Sequence, residues 1–283
     1  MNDNMIAVIG AGTMGRGIAQ LAAESGFDVQ MVDVSPDALE AGVAHISKTL
    51  DRAVGRDKIT QEVALATLGR LTTATDFANL KQARLIIEAA SENPVIKQKI
   101  FNELNDTAGA ETILASNTSS ISLTEIAAGS GRAEKVIGMH FFNPAPVMSL
   151  VEIIRALQTS DETFATTKAI ALQLGKTPVE VTDSPGFVVN RMLVPMINEA
   201  IFVYSEGVAT VDDIDAAMKL GANHPMGPLA LADLIGLDIC LSVMEVLYQE
   251  FSDSKYRPCP LLKKMVAAGY LGRKSGRGFH SYA

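Results

Sequence analysis

The first two thirds of the chain alternate between short apolar runs and segments of helical periodicity. Runs with the length of buried strands occupy residues 5–9, 28–33, 84–88 and 111–116. Between the second and third runs, apolar residues recur every three or four positions, as an amphipathic helix requires, at Leu39, Val43, Ile46 and Leu50. This alternation predicts an α/β domain built on a doubly wound, mostly parallel sheet.

The pattern changes near residue 183. A helical segment at residues 161–174 and a short strand at residues 177–181 lead into the turn Asp183-Ser184-Pro185-Gly186. Beyond this turn the periodicity is helical to the end of the chain. We therefore expect residues 1–183 to form the α/β domain and residues 184–283 to form an all-α domain.

The helices of the second domain are unusually apolar. The segments at residues 192–203 and 229–247 carry more apolar surface than a domain of about a hundred residues usually buries alone. Because such surface is normally covered by a second copy of the same chain, we expect a homodimer formed through these C-terminal helices.

A glycine-rich turn follows the first strand directly. Its sequence, Gly10-Ala11-Gly12-Thr13-Met14-Gly15, has the G-x-G-x-x-G spacing between a strand and a helix, where backbone amides can bind a pyrophosphate. The next strand ends at Asp33, whose carboxylate can bind an adenine ribose and would repel a 2′-phosphate. Together these features predict a Rossmann-like domain that binds NAD in preference to NADP. The expected contacts are Gly10, Gly12, Thr13, Met14, Gly15 and Asp33.

Composition and charge exclude several other classes. The net charge of -8 leaves no general excess of cations for phosphates, so we expect no nucleic-acid partner. Cys240 and Cys259 lack metal-ligand spacing, which predicts reduced thiols and no metal site. The first apolar run stops at Gly10, which is too early for a signal peptide or a membrane span. We therefore expect a cytoplasmic protein with no membrane partner.

A candidate acid/base pair lies around a rigid turn. The run ending in His140 is followed by Asn143-Pro144-Ala145-Pro146 and then by a second apolar run that contains Glu152. If the chain folds back here, a carboxylate comes beside a histidine, the side chain best suited to exchange protons near neutral pH. The alternative is a strand-end histidine and an unrelated glutamate.

Basic residues form a ridge on the helix that begins at Pro36. His45, Lys48, Arg52 and Arg56 follow one another at intervals of three or four, on a different side from the apolar stripe. The ridge is either an ordinary solvated face or a site for a phosphorylated part of the substrate.

Further polar residues lie near strand ends and inside an apolar helix. Ser119 follows a buried strand, where a doubly wound sheet binds ligands, although it could equally be the N-cap of the next helix. Lys97 is by default a surface lysine. Asn190 lies within an apolar run, which costs free energy unless its amide finds partners. Asn190 is therefore a site candidate, or a buried asparagine satisfied by the backbone.

Segments distributed over the whole chain carry a resemblance to a known family. They are Gly10–Gly15, Ser116-Asn117-Thr118-Ser119-Ser120, Gly138-Met139-His140-Phe141-Phe142-Asn143-Pro144, Asp183-Ser184-Pro185-Gly186-Phe187-Val188-Val189-Asn190-Arg191, His224-Pro225-Met226-Gly227-Pro228 and Gly272-Arg273-Lys274-Ser275-Gly276-Arg277-Gly278-Phe279. Together they resemble the 3-hydroxyacyl-CoA dehydrogenase family in its short, monofunctional form. The resemblance implies NAD-dependent oxidation of (S)-3-hydroxyacyl-CoA, above all 3-hydroxybutyryl-CoA, and the reverse reduction of acetoacetyl-CoA.

The resemblance also implies roles for individual positions. His140 would be the catalytic base, Glu152 its orienting carboxylate, and the second domain would help to bind substrate. Ser119 and Asn190 would hold the reacting oxygen, and Lys48, Arg52 and Arg56 would meet the CoA phosphates. Cofactor contacts would come from Asp33, Glu92, Lys97, Ser119, Asn143 and Lys274. His280 departs from the pattern, because relatives often have an aromatic residue there.

Two rival functions stay open at this stage. A hydroxyacid dehydrogenase of similar two-domain build usually carries its proton donor on a Gly-Gly-x-x-Gly-x-x-x-Lys-like segment, which is absent near Phe187. A catalytically silent NAD-binding protein is the other rival, because folds outlive chemistry. The joint presence of His140, Glu152, Ser119 and Asn190 weighs against the silent protein.

Overall fold

The computed structural model describes residues 4–282. They divide into two compact units, Met1–Asp183 and Ser184–Ala283. Among the described residues, no helix combines the length and the apolar character needed to cross a membrane.

The first unit contains one sheet flanked by helices. Its strands are β1 (Met5–Ile9), β2 (Asp28–Val32), β3 (Leu71–Ala74), β4 (Leu85–Glu88), β5 (Ile113–Ser116), β6 (Val136–Phe141), β7 (Leu150–Arg155) and β8 (Thr177–Thr182). Its helices are α1 (Thr13–Glu24), α2 (Pro36–Val54), α3 (Gln61–Gly69), α4 (Pro94–Thr107), α5 (Leu123–Gly129) and α6 (Asp161–Gln173).

The sheet confirms the predicted mostly parallel, doubly wound architecture. The strand order is β3-β2-β1-β4-β5-β6-β7-β8, and the first six strands of the chain run parallel. β7 runs antiparallel to β6, and β8 runs parallel to β7. The order reverses between β1 and β4, which is the point where sheets of this kind bind ligands beyond the carboxyl ends of their strands.

Helix starts in this unit follow from local sequence. α2 begins with Pro36 at its first position, and the Ser35 hydroxyl accepts a hydrogen bond from the Ala38 amide at 3.2 Å. α4 repeats the arrangement with Pro94 and the Asn93 side chain. A proline at the first helical position and a polar cap together satisfy backbone amides that have no partner inside the helix.

Two elements between α2 and β4 were not predicted. β3 has the sequence Leu-Thr-Thr-Ala, and both central threonines are exposed. It is an edge strand of the sheet, so its sequence lacks the apolar run that predicts a buried strand. In α3 the exposed Val63 and Leu65 lie beside the buried Ala64 and Thr67, so apolar and polar positions do not separate into two faces.

The second unit is helical around its own apolar core. It comprises α7 (Val189–Ser205), α8 (Val211–Gly221), α9 (Pro228–Ile235), α10 (Leu237–Phe251) and α11 (Pro260–Ala267). Ile197, Ile201, Leu237, Met244 and Leu262 are among its buried residues.

The prediction that helix continues to the end of the chain is wrong for the last segment. Isolated β-bridges join Gly272 to Arg277 and Arg277 to Ser281. Gly272 and Gly276 have φ angles of 91° and 74°, which L-residues adopt only with strain. The Asp233 carboxylate accepts hydrogen bonds from the Phe279 and His280 amides and therefore holds this non-helical end against α9.

Candidate active site

The predicted acid/base pair is formed by the two strands that follow each other around the turn. β6 and β7 pair in a register that puts His140 opposite Glu152. The imidazole Nδ1 lies 2.7 Å from a carboxylate oxygen of Glu152, and the two residues are 6% and 1% exposed. A carboxylate at Nδ1 fixes the ring orientation and stabilises the imidazolium, so the nitrogen suited to exchange a proton with a substrate is Nε2.

Asn117 joins the end of β6 to its parallel neighbours. Its side-chain oxygen accepts a hydrogen bond from the Phe141 backbone amide at 2.9 Å. Its backbone amide donates a hydrogen bond to the Glu88 carbonyl at 2.8 Å. Phe141, the residue next to His140, is therefore anchored through Asn117 to the carboxyl ends of β4 and β5. The glycine-rich turn lies at the same edge of the sheet.

The glycine-rich turn leaves space in front of the N-terminus of α1. A side chain at Gly15 would bring its Cβ within 1.8 Å of the Gly10 carbonyl oxygen, so the turn can close only with glycine there. A Cβ at Gly12, the N-cap of α1, would meet nothing within 4 Å. Open space before unpaired helix amides is what a pyrophosphate needs, so this turn fits a dinucleotide.

Asp33 is held at the end of β2 by two backbone amides. One carboxylate oxygen accepts from Ala11 at 2.8 Å and the other accepts from Ser35 at 3.0 Å. An ionised carboxylate has about four acceptor sites, so each oxygen keeps the capacity to accept from a ribose hydroxyl.

Lys97 is buried, and its default interpretation as a surface lysine is wrong. The residue is 2% exposed, and its ammonium lies 2.8 and 2.7 Å from the two carboxylate oxygens of Glu88. Glu88 also accepts from the Ser116 hydroxyl at 2.8 Å and from the Ala90 amide at 2.9 Å. The ammonium can be buried because a fully buried, fully hydrogen-bonded carboxylate neutralises it.

Glu92 connects this buried pair to the polar cluster after β5. Its carboxylate accepts from the Thr118 hydroxyl at 2.7 Å and from the Ser119 amide at 2.9 Å, and it lies 4.0 Å from the Lys97 ammonium. Ser119 is not the N-cap of α5, because Ser122 caps that helix. A cavity of about 250 Å³ adjoins the cluster and is lined by Gly12, Thr13, Met14, Ala89, Ala90, Ser91, Glu92, Lys97 and Asn117.

A second, larger cleft is lined by cations. Its volume is about 680 Å³, and its opposite wall is formed by residues 143–147 of the turn between β6 and β7. Desolvation and, after it, the charges of Arg16, Arg52 and Lys48 lower the pKa of the His45 imidazole below its ordinary value. The neighbouring cations therefore contribute to the lowered pKa, but desolvation is its largest cause. Its basic lining residues are Arg16, His45, Arg52, Arg56 and Lys58.

The basic residues that line the cleft are not the same set as the predicted basic ridge. Arg52 and Arg56 line it, whereas Lys48 is exposed on α2 and is not among its lining residues. Arg16 and Lys58 were missed because they lie on α1 and beyond α2, and no spacing rule within one helix could have joined them to the ridge. We name Arg16, His45, Arg52, Arg56 and Lys58 the basic cleft.

Two predicted site residues belong to the second unit. Asn190 is partly buried in the first turn of α7. The Lys274 ammonium forms an ion pair with Asp238 at 2.6 Å, with both side chains substantially exposed. Their roles toward substrate and cofactor stay predictions.

Family models match nearly the whole chain. The model described as "3-hydroxyacyl-CoA dehydrogenase, NAD binding domain" covers residues 5–184, and the one described as "3-hydroxyacyl-CoA dehydrogenase, C-terminal domain" covers residues 186–282.

Similar proteins come from several bacteria. A probable 3-hydroxybutyryl-CoA dehydrogenase of Bacillus subtilis is 55% identical over 282 residues, which is 100% of this chain and 98% of the relative. A 3-hydroxybutyryl-CoA dehydrogenase of Bradyrhizobium diazoefficiens is 53% identical and covers 98% of this chain and 94% of its own. The crystal structure of (S)-3-hydroxybutyryl-CoA dehydrogenase from Ralstonia eutropha superposes with a TM-score of 0.97 at 54% identity, covering 99% of both chains.

Proposed function

The chain belongs to the 3-hydroxyacyl-CoA dehydrogenase family, and on that premise we propose that it oxidises (S)-3-hydroxyacyl-CoA with NAD and reduces acetoacetyl-CoA in the reverse direction. 3-Hydroxybutyryl-CoA is the proposed substrate, because the similar bacterial proteins carry that activity in their names. The observation that carries the proposal is the buried contact of 2.7 Å between His140 and Glu152.

Proton transfer is the proposed task of the pair. Oxidation of a secondary alcohol removes the hydroxyl proton while a hydride leaves the same carbon, and bound NAD supplies the hydride acceptor. His140 accepts the proton at Nε2, and the Glu152 carboxylate stabilises the imidazolium that results. In the reduction of a ketone, the same nitrogen donates the proton to the oxygen. Ser119 and Asn190 are proposed to hydrogen-bond that oxygen.

The cofactor is proposed to lie along the carboxyl ends of β1, β2, β4 and β5. Gly10, Gly12, Thr13, Met14 and Gly15 would face the pyrophosphate, a role supported by the open space at Gly12. Asp33 would bind the adenine ribose. The remaining proposed contacts are Glu92, Lys97, Ser119, Asn143 and Lys274.

The basic cleft is proposed to receive the phosphates of CoA. Phosphate groups are recognised by arginine through charge-assisted hydrogen bonds, and Arg16, Arg52 and Arg56 line one cleft. The turn that carries Asn143 forms the wall of the same cleft. This one turn therefore links the proposed binding site for the CoA phosphates to the proposed proton-transfer site.

We also propose that the protein forms a homodimer and is located in the cytoplasm. The second unit exposes large apolar side chains on its helices, including Met192 at 70% and Leu220 at 87%. Such surface supports a homodimer formed through these helices, which light scattering of the purified protein would test.

Spectrophotometry of the purified protein tests the proposed reaction. With NADH in excess, addition of acetoacetyl-CoA should consume NADH in proportion to the thioester added, whereas free acetoacetate should not. No consumption with any 3-oxoacyl-CoA would favour the silent NAD-binding protein. Faster turnover of the free acid than of its CoA thioester would favour a hydroxyacid dehydrogenase.

A further inference from the structure

Lys176 is a buried lysine that the proposed reaction does not use. It lies between α6 and β8 and is 6% exposed. Its ammonium donates to the Ala145 carbonyl at 2.6 Å and to the Met148 carbonyl at 2.8 Å. Both acceptors belong to residues 143–149, which we name the 143–149 loop. The two hydrogen bonds of this buried cation go to uncharged carbonyls, which makes its burial costly. Burial lowers the pKa of this lysine, and the charge of Glu24 opposes that shift.

The 143–149 loop connects the proposed proton-transfer pair to the basic cleft. It begins after β6, which ends one residue past His140, and it leads into β7, which carries Glu152. Residues 143–147 form a wall of the basic cleft. The loop's conformation therefore sets the width of the cleft.

The loop is held by hydrogen bonds within it and by contacts with α1, β8 and Lys176. The Ser149 carbonyl accepts a hydrogen bond from the Thr177 amide at 2.8 Å, and Ala145 is buried in the core of the first unit. The Val147 and Met148 amides both donate to the Pro144 carbonyl at 3.0 Å, so these bonds shape the turn from within. On one side Ala145 packs close to Gly17 of α1. On the other side Lys176 joins the two ends of the turn through a single charged group.

We propose that Lys176 is a positioning residue: by fixing the 143–149 loop it sets the wall of the basic cleft, and so the affinity for acyl-CoA, without acting on proton transfer. The last ladder pair before the loop joins Phe141 to Val151, and the next pair inward joins His140 to Glu152. Strand pairing therefore holds the acid/base pair when the loop loosens. The kinetic consequence rests on the proposed function.

The substitution Lys176→Met removes the hydrogen-bond donors and keeps most of the side-chain volume. The KM for acetoacetyl-CoA should rise about tenfold, as expected for the loss of a charged hydrogen bond, while kcat at saturation stays within about twofold. Lys176→Arg, which can donate to both carbonyls, should restore part of the affinity. The matched control is Lys168→Met, because Lys168 is an exposed lysine on α6 that does not contact the loop.

Amide hydrogen exchange provides a readout that does not depend on the reaction. In Lys176→Met the Val147 and Met148 amides should exchange faster, while those of β6 should not change. If Lys176→Met does not fold, Lys176→Gln takes its place, because its amide is too short to reach both carbonyls.

Each outcome bears on a different claim. Unchanged exchange in the loop would overturn the positioning role. Faster exchange with an unchanged KM, or with kcat falling as much as kcat/KM, would overturn the link to acyl-CoA affinity. Absence of turnover in the wild-type protein would instead contradict the proposed function, and the exchange experiment would still test the role of Lys176 in the loop.

Discussion

His140 and Glu152 face each other across one rung of an antiparallel strand pair, with 2.7 Å between Nδ1 and a carboxylate oxygen. Side chains directly opposite each other on such a pair share one face of the sheet. The backbone therefore sets their separation, and the contact does not depend on a flexible loop. A histidine–carboxylate pair built this way is fixed by the backbone, so the proposed proton transfer would need no rearrangement of the two side chains.

Asp33 should determine the choice between NAD and NADP. Asp33→Asn keeps an acceptor for the Ala11 amide but removes the negative charge that a 2′-phosphate would face. The ratio of kcat/KM for NADPH to that for NADH should therefore rise by roughly tenfold or more. The KM for acetoacetyl-CoA should not change. Equal use of NADH and NADPH by the wild-type protein would show that this interpretation of Asp33 is wrong.

Arg52 and Arg56 should bind the phosphates of CoA. Alanine at both positions should raise the KM for acetoacetyl-CoA by roughly tenfold at low ionic strength, with little change in the KM for NADH. The difference should shrink in about 1 M salt, which screens exposed charges beyond about 3 Å.

Lys48→Ala is the matched control for the two arginines. Lys48 is a cation on the same helix as Arg52, but it is not among the residues that line the cleft. Its removal should change the KM for acetoacetyl-CoA less than either arginine substitution. An equal effect would indicate a diffuse attraction by the whole helix instead of a defined cleft.

A single substitution in the buried pair of Lys97 and Glu88 should lower the free energy of unfolding. Lys97→Met leaves the Glu88 carboxylate buried without its cation, and the free energy of unfolding should fall by about 3–5 kcal/mol. The double variant Lys97→Met with Glu88→Gln should recover much of this loss, because no unpaired charge stays buried. Urea unfolding of Lys97→Met, Glu88→Gln and the double variant measures the coupling. Additive losses would mean that the two side chains do not act as a pair.

Lys176 should make the free energy of unfolding depend on alkaline pH. Burial lowers its pKa in the folded protein from the ordinary value of 10.5. Between the lowered pKa and 10.5 the unfolded chain binds more protons than the folded one, so this lysine makes stability rise with pH in that window. Lys176→Met should remove the rise.

The pH experiment requires a comparison between variants. Burial raises the pKa of the Cys240 thiol to about 12, and this thiol opposes Lys176 by lowering stability as pH rises above the ordinary thiol pKa. Urea unfolding of wild type and Lys176→Met at the same alkaline pH values cancels this contribution. A difference between the two proteins that stays constant with pH would contradict the lowered pKa.

Local sequence predicted the nucleotide-binding strands, and it indicated that Glu152 could lie beside His140 while leaving open that the two residues are unrelated. Glycines at fixed spacing between a strand and a helix have few other structural explanations. The position of Glu152 opposite His140 could be expected because two apolar runs joined by a short proline turn have few registers that bury both.

Long-range packing explains what the sequence did not predict. Lys97 and Lys176 look like ordinary surface lysines, because their partners, Glu88 and the Ala145 and Met148 carbonyls, are fixed only by the folded chain. The basic cleft likewise joins α1, α2 and the 143–149 loop, so no single helix shows it. Periodicity identifies which face of a helix is buried, but not what lies opposite that face.

The most direct test of the account is single-turnover hydride transfer, with NADH prebound and acetoacetyl-CoA added. His140→Gln should slow the transfer by roughly a thousandfold or more, Glu152→Gln should slow it severely, and the double variant should be no slower than His140→Gln alone, because both residues act on one proton. NADH binding, followed by fluorescence, should stay near normal in all three. A near-wild-type rate in His140→Gln, or losses that multiply in the double variant, would contradict the account.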